Sequence, residues 1–97
     1  MCKAEAPELQ KAYLSYKDKG VLFIGVFTMS GDADIRKFAA TYGLTFPVGK
    51  DNGLSRALGV MGIPTTVFIS RDRRVVKRVI GDISYSEISD NIKNLLR

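Results

Sequence analysis

The chain has 97 residues, a net charge of +5, one cysteine and no histidine. That length supports one domain, near the lower end of what buries a self-sufficient core. Without histidine there is no Ser-His or Cys-His catalytic pair, and a zinc site would fall to Asp and Glu, which zinc sites seldom use. One cysteine excludes an intramolecular disulfide. Hydrophobic residues at 45% and charged residues at 26% match an ordinary soluble globular domain. The longest apolar run, Val21 to Phe27, is far too short to span a membrane, so neither a membrane segment nor a signal peptide is expected within these residues.

Residues 4 to 19 read as a helix. Leu9, Ala12, Tyr13 and Tyr16 recur at three- and four-residue spacings, with Lys11, Lys17 and Asp18 on the other face. Gly20 ends it, and Pro7 either stands in its first turn or kinks it. Val21 to Phe27 is apolar at alternate and intervening positions, the pattern of a strand buried on both faces. Asp32 or Asp34 can cap a second helix that carries Ile35, Phe38, Ala39 and Tyr42 and stops at Gly43. Phe46-Pro47-Val48 is a short extended piece. Asp51-Asn52-Gly53 is turn chemistry leading into a short helix with Leu54, Ala57 and Leu58. Gly62-Ile63-Pro64 breaks the chain. Thr65 to Ile69 and Val75 to Ile80 read as strands joined by Arg71-Asp72-Arg73-Arg74, the second interrupted by Lys77 and Arg78 and so an edge. After Gly81, a last helix turns Ile88, Ile92, Leu95 and Leu96 inward. No repeat or linker divides the chain, so residues 1–97 read as a single α/β domain, helices around a small mixed sheet.

Three features carry chemistry. Cys2 stands at the head of the first helix, where the positive end of the helix dipole favours a thiolate; a lone cysteine is as readily a small buried hydrophobe. Pro64 directly precedes a β-branched strand. That is ordinary for a strand start, while a cis Ile63–Pro64 bond would expose the Ile63 backbone for pairing with an extended peptide. Arg71, Arg73, Arg74, Lys77 and Arg78 form a basic cluster without interleaved aromatics or a nucleic-acid-binding signature, so it reads as a solvated edge and no nucleic-acid partner is expected.

Together these segments resemble a family. Cys2-Lys3-Ala4-Glu5-Ala6-Pro7-Glu8-Leu9, Gly20 to Val26, Phe46-Pro47-Val48, Asp51, Gly59-Val60, Gly62 to Ile69 and Gly81 are similar to TlpA/ResA-type thiol-disulfide oxidoreductases of the thioredoxin superfamily. The resemblance covers essentially the whole chain. It implies a thioredoxin-like fold, no cofactor, and protein thiols or disulfides as partners. Cys2 would match the resolving cysteine, Pro64 the cis-proline and Ile63 the residue whose backbone holds a substrate strand, with Thr65 beside them. Pro7 would match the proline that kinks the first helix. Relatives usually work outside the cytoplasm, tethered or exported.

The resemblance also implies what is missing. The family's nucleophilic cysteine and its central first strand precede the position of Cys2, where this chain has only Met1. The expectation is of an N-terminally incomplete domain, inactive or impaired in a two-cysteine cycle. A central strand buries about four aliphatic side chains at ~1.5–3 kcal/mol each, so its loss removes roughly 6–12 kcal/mol. The flanking strands would close up, a partner would cover the gap, or the natural protein would begin upstream. Two other functions stay open: a non-catalytic peptide-binding or dimerisation module, joined through the open sheet or a Cys2–Cys2 bridge, and a one-cysteine peroxiredoxin-like peroxidase. Arg73 stands where many relatives have a turn glycine, which costs about 1 kcal/mol if its φ is positive.

Overall fold

Pro7 sits in the first turn of the first helix, where its missing N–H breaks no intrahelical bond. That helix, α1, runs Ala6–Tyr16 in a computed structural model that describes residues 5–28, 31–62 and 64–97. A 3-10 turn, Lys17–Lys19, continues it to Gly20, whose φ of 79° supplies the left-handed stop. Then follow β1 (Gly25–Phe27), α2 (Asp32–Tyr42), β2 (Val48–Lys50), α3 (Leu54–Ala57), β3 (Thr65–Ile69), β4 (Val75–Ile80) and α4 (Tyr85–Leu96). None of the described helices is long and apolar enough to cross a membrane.

The strands form two separate ladders. β1 pairs with β2 in parallel, Gly25 opposite Val48; β3 pairs with β4 antiparallel, Thr65 opposite Ile80. No ladder joins β1 to β3 among the described residues, so the flanking strands have not closed up. The expected small mixed sheet is thus present as two halves. Strand formation is correspondingly shorter than the apolar run: only Gly25–Phe27 is strand, and Leu22 and Ile24 are 80% and 61% exposed. Among the described residues nothing packs on that face to bury them, which corrects the reading of a strand covered on both sides.

One helix holds the halves together. On the side of β1 and β2, Tyr13 stacks edge-on to Phe23 and Phe46, at 5.5 and 5.7 Å between ring centres. Gln10 exchanges two hydrogen bonds with Thr45, donating to its hydroxyl and accepting from its N–H. On the side of β3 and β4, Ala12 and Tyr16 pack with Phe68, Ile83, Ile88 and Ile92 in the main core. The Tyr16 and Ser89 hydroxyls, both buried, hydrogen-bond at 2.5 Å. Lys11 lies 4.4 Å over the Tyr85 ring.

Local signals read from the sequence hold with small shifts. Gly43 closes α2 with a φ of 63°, but Gly31, not Asp32 or Asp34, is its N-cap. The two aspartates instead occupy the first turn, where they oppose the helix dipole's positive end. The extended piece expected at 46–48 pairs as 48–50, because Phe46 is buried against Tyr13 and Phe23 rather than set in the ladder. Ser84 caps α4 by accepting the Glu87 N–H. Ile88 and Ile92 are buried as expected, while Leu96 is 38% exposed.

Arg73 is the one described non-glycine residue with positive φ, at 66°. Its exposed side chain gains nothing from that backbone. Replacing it with glycine (Arg73→Gly) is expected to raise stability by about 0.5–1 kcal/mol, read as a higher urea midpoint with an unchanged slope. Tyr16→Phe is expected to cost about 1 kcal/mol in the same measurement by leaving the buried Ser89 hydroxyl without its partner.

Candidate functional site

The head of α1 meets the start of β3. Glu5, 3% exposed, places its carboxylate against Thr66, whose hydroxyl donates to Glu5 Oε1 at 3.3 Å. The other carboxylate oxygen, Oε2, is buried with no hydrogen-bond partner. A buried carboxylate satisfied on one oxygen pays a desolvation cost in its charged form. Burial accordingly pushes the Glu5 carboxyl above its ordinary value; the Thr66 bond works against that rise and the nearby Asp82 charge adds to it.

Why this acid is buried is visible in the helix geometry. Glu5, Leu9, Ala12 and Tyr16 fall on one stripe, and Ala12 and Tyr16 belong to the core. Helix α1 therefore carries Glu5 inward with its apolar face.

Of the residues expected to form the site, two can be placed. Pro64 is half-buried, and its carbonyl accepts the Gly81 N–H at 2.8 Å, anchoring the start of β3 to the end of β4. Thr65 is half-buried, with its hydroxyl donating to the Gly62 carbonyl. Cys2 and Ile63, and with Ile63 the isomer of the Ile63–Pro64 bond, lie outside the described residues. What the fold does bring together is Glu5, three residues after Cys2, and Thr66, two residues after Pro64.

Glu5 was missed as a site residue by the sequence reading, which took it only as part of a motif. The signal was present in its place on the Leu9–Ala12–Tyr16 stripe. No group of residues fit to hold a metal ion occurs among the described residues. The basic cluster is spread over local contacts: Arg74 pairs with Asp72 at 3.2 Å, and Arg78 donates to the Leu58 carbonyl at 2.7 Å.

The family model described as "AhpC/TSA family" matches residues 1–78. The chain belongs to the AhpC/TSA family. This AhpC/TSA-family chain is similar to the thiol-disulfide oxidoreductase ResA of Bacillus thuringiensis, with 32% identity over 97 residues, which is 97% of this chain and 56% of that protein. It is also similar to ResA of Oceanobacillus iheyensis, at 33% identity over 97% of this chain and 50% of that protein. The chain thus spans about half the length of the curated relatives it matches. A thioredoxin-family thiol:disulfide interchange protein from Chlorobium tepidum shares its fold, with a TM-score of 0.90 at 22% identity, over 99% of this chain and 71% of that one. The fold is thioredoxin-like, and the resemblance to ResA-type proteins stands.

A raised carboxyl pKa makes stability depend on pH with a definite sign. The folded chain binds the Glu5 proton more tightly than the unfolded chain does. Stability from this group is therefore fully present below the ordinary glutamate value and is lost as pH rises through the raised one. Glu5→Gln is expected to flatten that part of the profile and to leave the variant more stable than the parent at pH 8, measured by urea unfolding between pH 4 and 8.

Proposed function

We propose that this chain is a thiol-disulfide exchange domain that works through Cys2 and acts on protein thiols or disulfides. The observation that carries the reading is the contact between Glu5 and Thr66. It sets a desolvated carboxyl at the junction of the helix that follows Cys2 and the strand that follows Pro64. ResA-type relatives, named as thiol-disulfide oxidoreductases, match across both segments.

The chemistry follows from one thiol. The Cys2 thiolate attacks a disulfide sulfur, a new S–S bond forms to Cys2, and the partner's other sulfur leaves as a thiolate. Release of the mixed disulfide then needs a second thiol from another molecule, because this chain has only one cysteine. Glu5 serves as the proton acceptor for the Cys2 thiol, since a carboxyl with raised pKa is better matched to that transfer than an ordinary one. Pro64 and Thr65 would flank the bound partner.

Incubation with a peptide disulfide is expected to give a one-to-one adduct at Cys2, seen as a mass increase that Cys2→Ser abolishes. Catalytic insulin reduction is expected to be negligible. Glu5→Gln is expected to slow adduct formation roughly a hundredfold, the lower end of what a positioned proton-transfer group contributes, and to alter its pH profile. Adduct-free chain, or robust turnover that persists in Cys2→Ser, would overturn the reading.

A further inference from the structure

The chain between α3 and the proposed partner site is tied to β4 at three points. The Arg78 Nε–H donates to the Leu58 carbonyl at 2.7 Å. A Cβ built on Gly62 would stand 3.6 Å from the Ile80 side chain. The Pro64 carbonyl accepts the Gly81 N–H at 2.8 Å. Within the stretch, the Thr65 hydroxyl donates back to the Gly62 carbonyl. Between Val60 and Pro64 the described residues join no ladder, so the course of this stretch is set by its two ends. Gly81 holds the downstream end and Arg78 the upstream one.

Gly59 shows how closely the upstream anchor fits. Its φ of 71° lies in the left-handed region, which favours glycine. Its missing side chain also makes room, since a Cβ there would meet the Arg78 guanidinium at 3.1–3.4 Å. Leu58 is the C-cap of α3, a helix of only four residues. The carbonyls at a helix end lack intrahelical partners, and a cation suits them. Arg78 is exposed, where water competes for the same donor and the bond adds little to folding. Its consequence is directional. We infer that Arg78 is a positioning residue for partner capture: by fixing the Leu58–Gly59 peptide it sets the course on which Pro64 and Thr65 meet an extended partner chain. This rests on the thiol-exchange reading above. Arg78 acts through the chain it holds, so a disulfide that uses Pro64 and Thr65 senses it and a very small disulfide does not.

Two neutral disulfides separate these cases in the full 97-residue chain. One is hydroxyethyl disulfide; the other is a short uncharged peptide whose single cysteine is joined to mercaptoethanol. In each, the Cys2 thiolate attacks one sulfur, a new S–S bond forms to Cys2, and mercaptoethanol leaves as its thiolate. Rates are read by mass, counting only the peptide-bearing adduct for the second reagent. Arg78→Met keeps the apolar stem and removes the donor. It is expected to slow the peptide reaction about tenfold, the worth of one hydrogen bond from a charged donor, and to change the small reaction less than twofold. Any effect on the thiolate itself is common to both reagents. Gly59→Ala is expected to give the same split, and the double variant to be no slower than the slower single one, because both act at one contact. Should Arg78→Met fail to fold, Arg78→Lys, which keeps the charge and loses the Nε–H, carries the same comparison. Slowing that is equal for both reagents or larger for the small one would overturn the inference and leave the exchange reading standing. So would no slowing, a double variant slowed by the product of the single effects, or an unaltered chain that reacts with the small disulfide alone. An unaltered chain that reacts with neither overturns both.

Discussion

Everything in this fold hangs on α1 packing against both half-sheets. Its ring contacts and the Gln10–Thr45 bonds grip the β1–β2 side. Its Ala12 and Tyr16 enter the core with α4 and β3. Sheets normally find cohesion in a continuous ladder, and here that ladder is interrupted. The helix substitutes side-chain packing for the absent backbone pairing. Its small residues matter for this: Ala6 and Ala12 are fully buried, so the helix backbone can lie close to its neighbours. The radius of gyration, 12.8 Å, equals that of a well-packed domain of about 100 residues.

The same helix creates the candidate site. A stripe that must be apolar at Leu9, Ala12 and Tyr16 carries Glu5 inward at its N-terminal end, where position offsets part of the cost. The first turn of a helix offers unpaired N–H groups and a positive dipole end, both of which favour a carboxylate. Thr66 supplies a hydrogen bond to one oxygen. The second oxygen finds none, and Asp82 adds repulsion, so desolvation still prevails and the carboxyl is raised. By contrast, Asp51 accepts the Ser55 hydroxyl and backbone N–H in an open position and is held below its ordinary value. Two acids near helix starts thus diverge because one is buried and the other is hydrogen-bonded in solvent. Only the first is shifted toward keeping its proton.

How much could be read from residues alone follows from whether the deciding interaction is local. Gly20 and Gly43 ended their helices as expected because a left-handed residue is a local demand. The β3–β4 hairpin kept its expected ends because alternation and the basic turn specify it within sixteen residues. The extent of β1 was misread because its ends depend on tertiary contacts, and among the described residues β1 pairs with β2 alone. Leu22 and Ile24 have strand-like chemistry, and their exposure is a tertiary fact. Glu5 lay between these cases: its helical stripe was legible, while its pairing with Thr66 spans 61 positions. The family resemblance supplied Cys2, Ile63, Pro64 and Thr65 as site residues; the structure adds Glu5 and Thr66 and brings the segments that hold them into contact.

The gap and the site are not independent. Glu5, Pro64 and Thr66 line the same cavity as the free edges of β1 and β3. An apolar group entering this cavity would remove water from around Val26 and Val67, and it would also lower the dielectric around the Glu5 carboxyl. That change acts in one direction, since further desolvation favours the neutral acid. A carboxyl already raised by burial would rise again unless the incoming group offered an N–H to its unpaired oxygen. The unpaired Oε2 is therefore the atom at which cavity occupancy and proton affinity meet. An N–H delivered there would stabilise the charge, and an apolar side chain would suppress it. Occupancy of this cavity thereby acts on the protonation of Glu5, the acid buried at the head of α1 among the described residues, and through it on the proposed exchange chemistry.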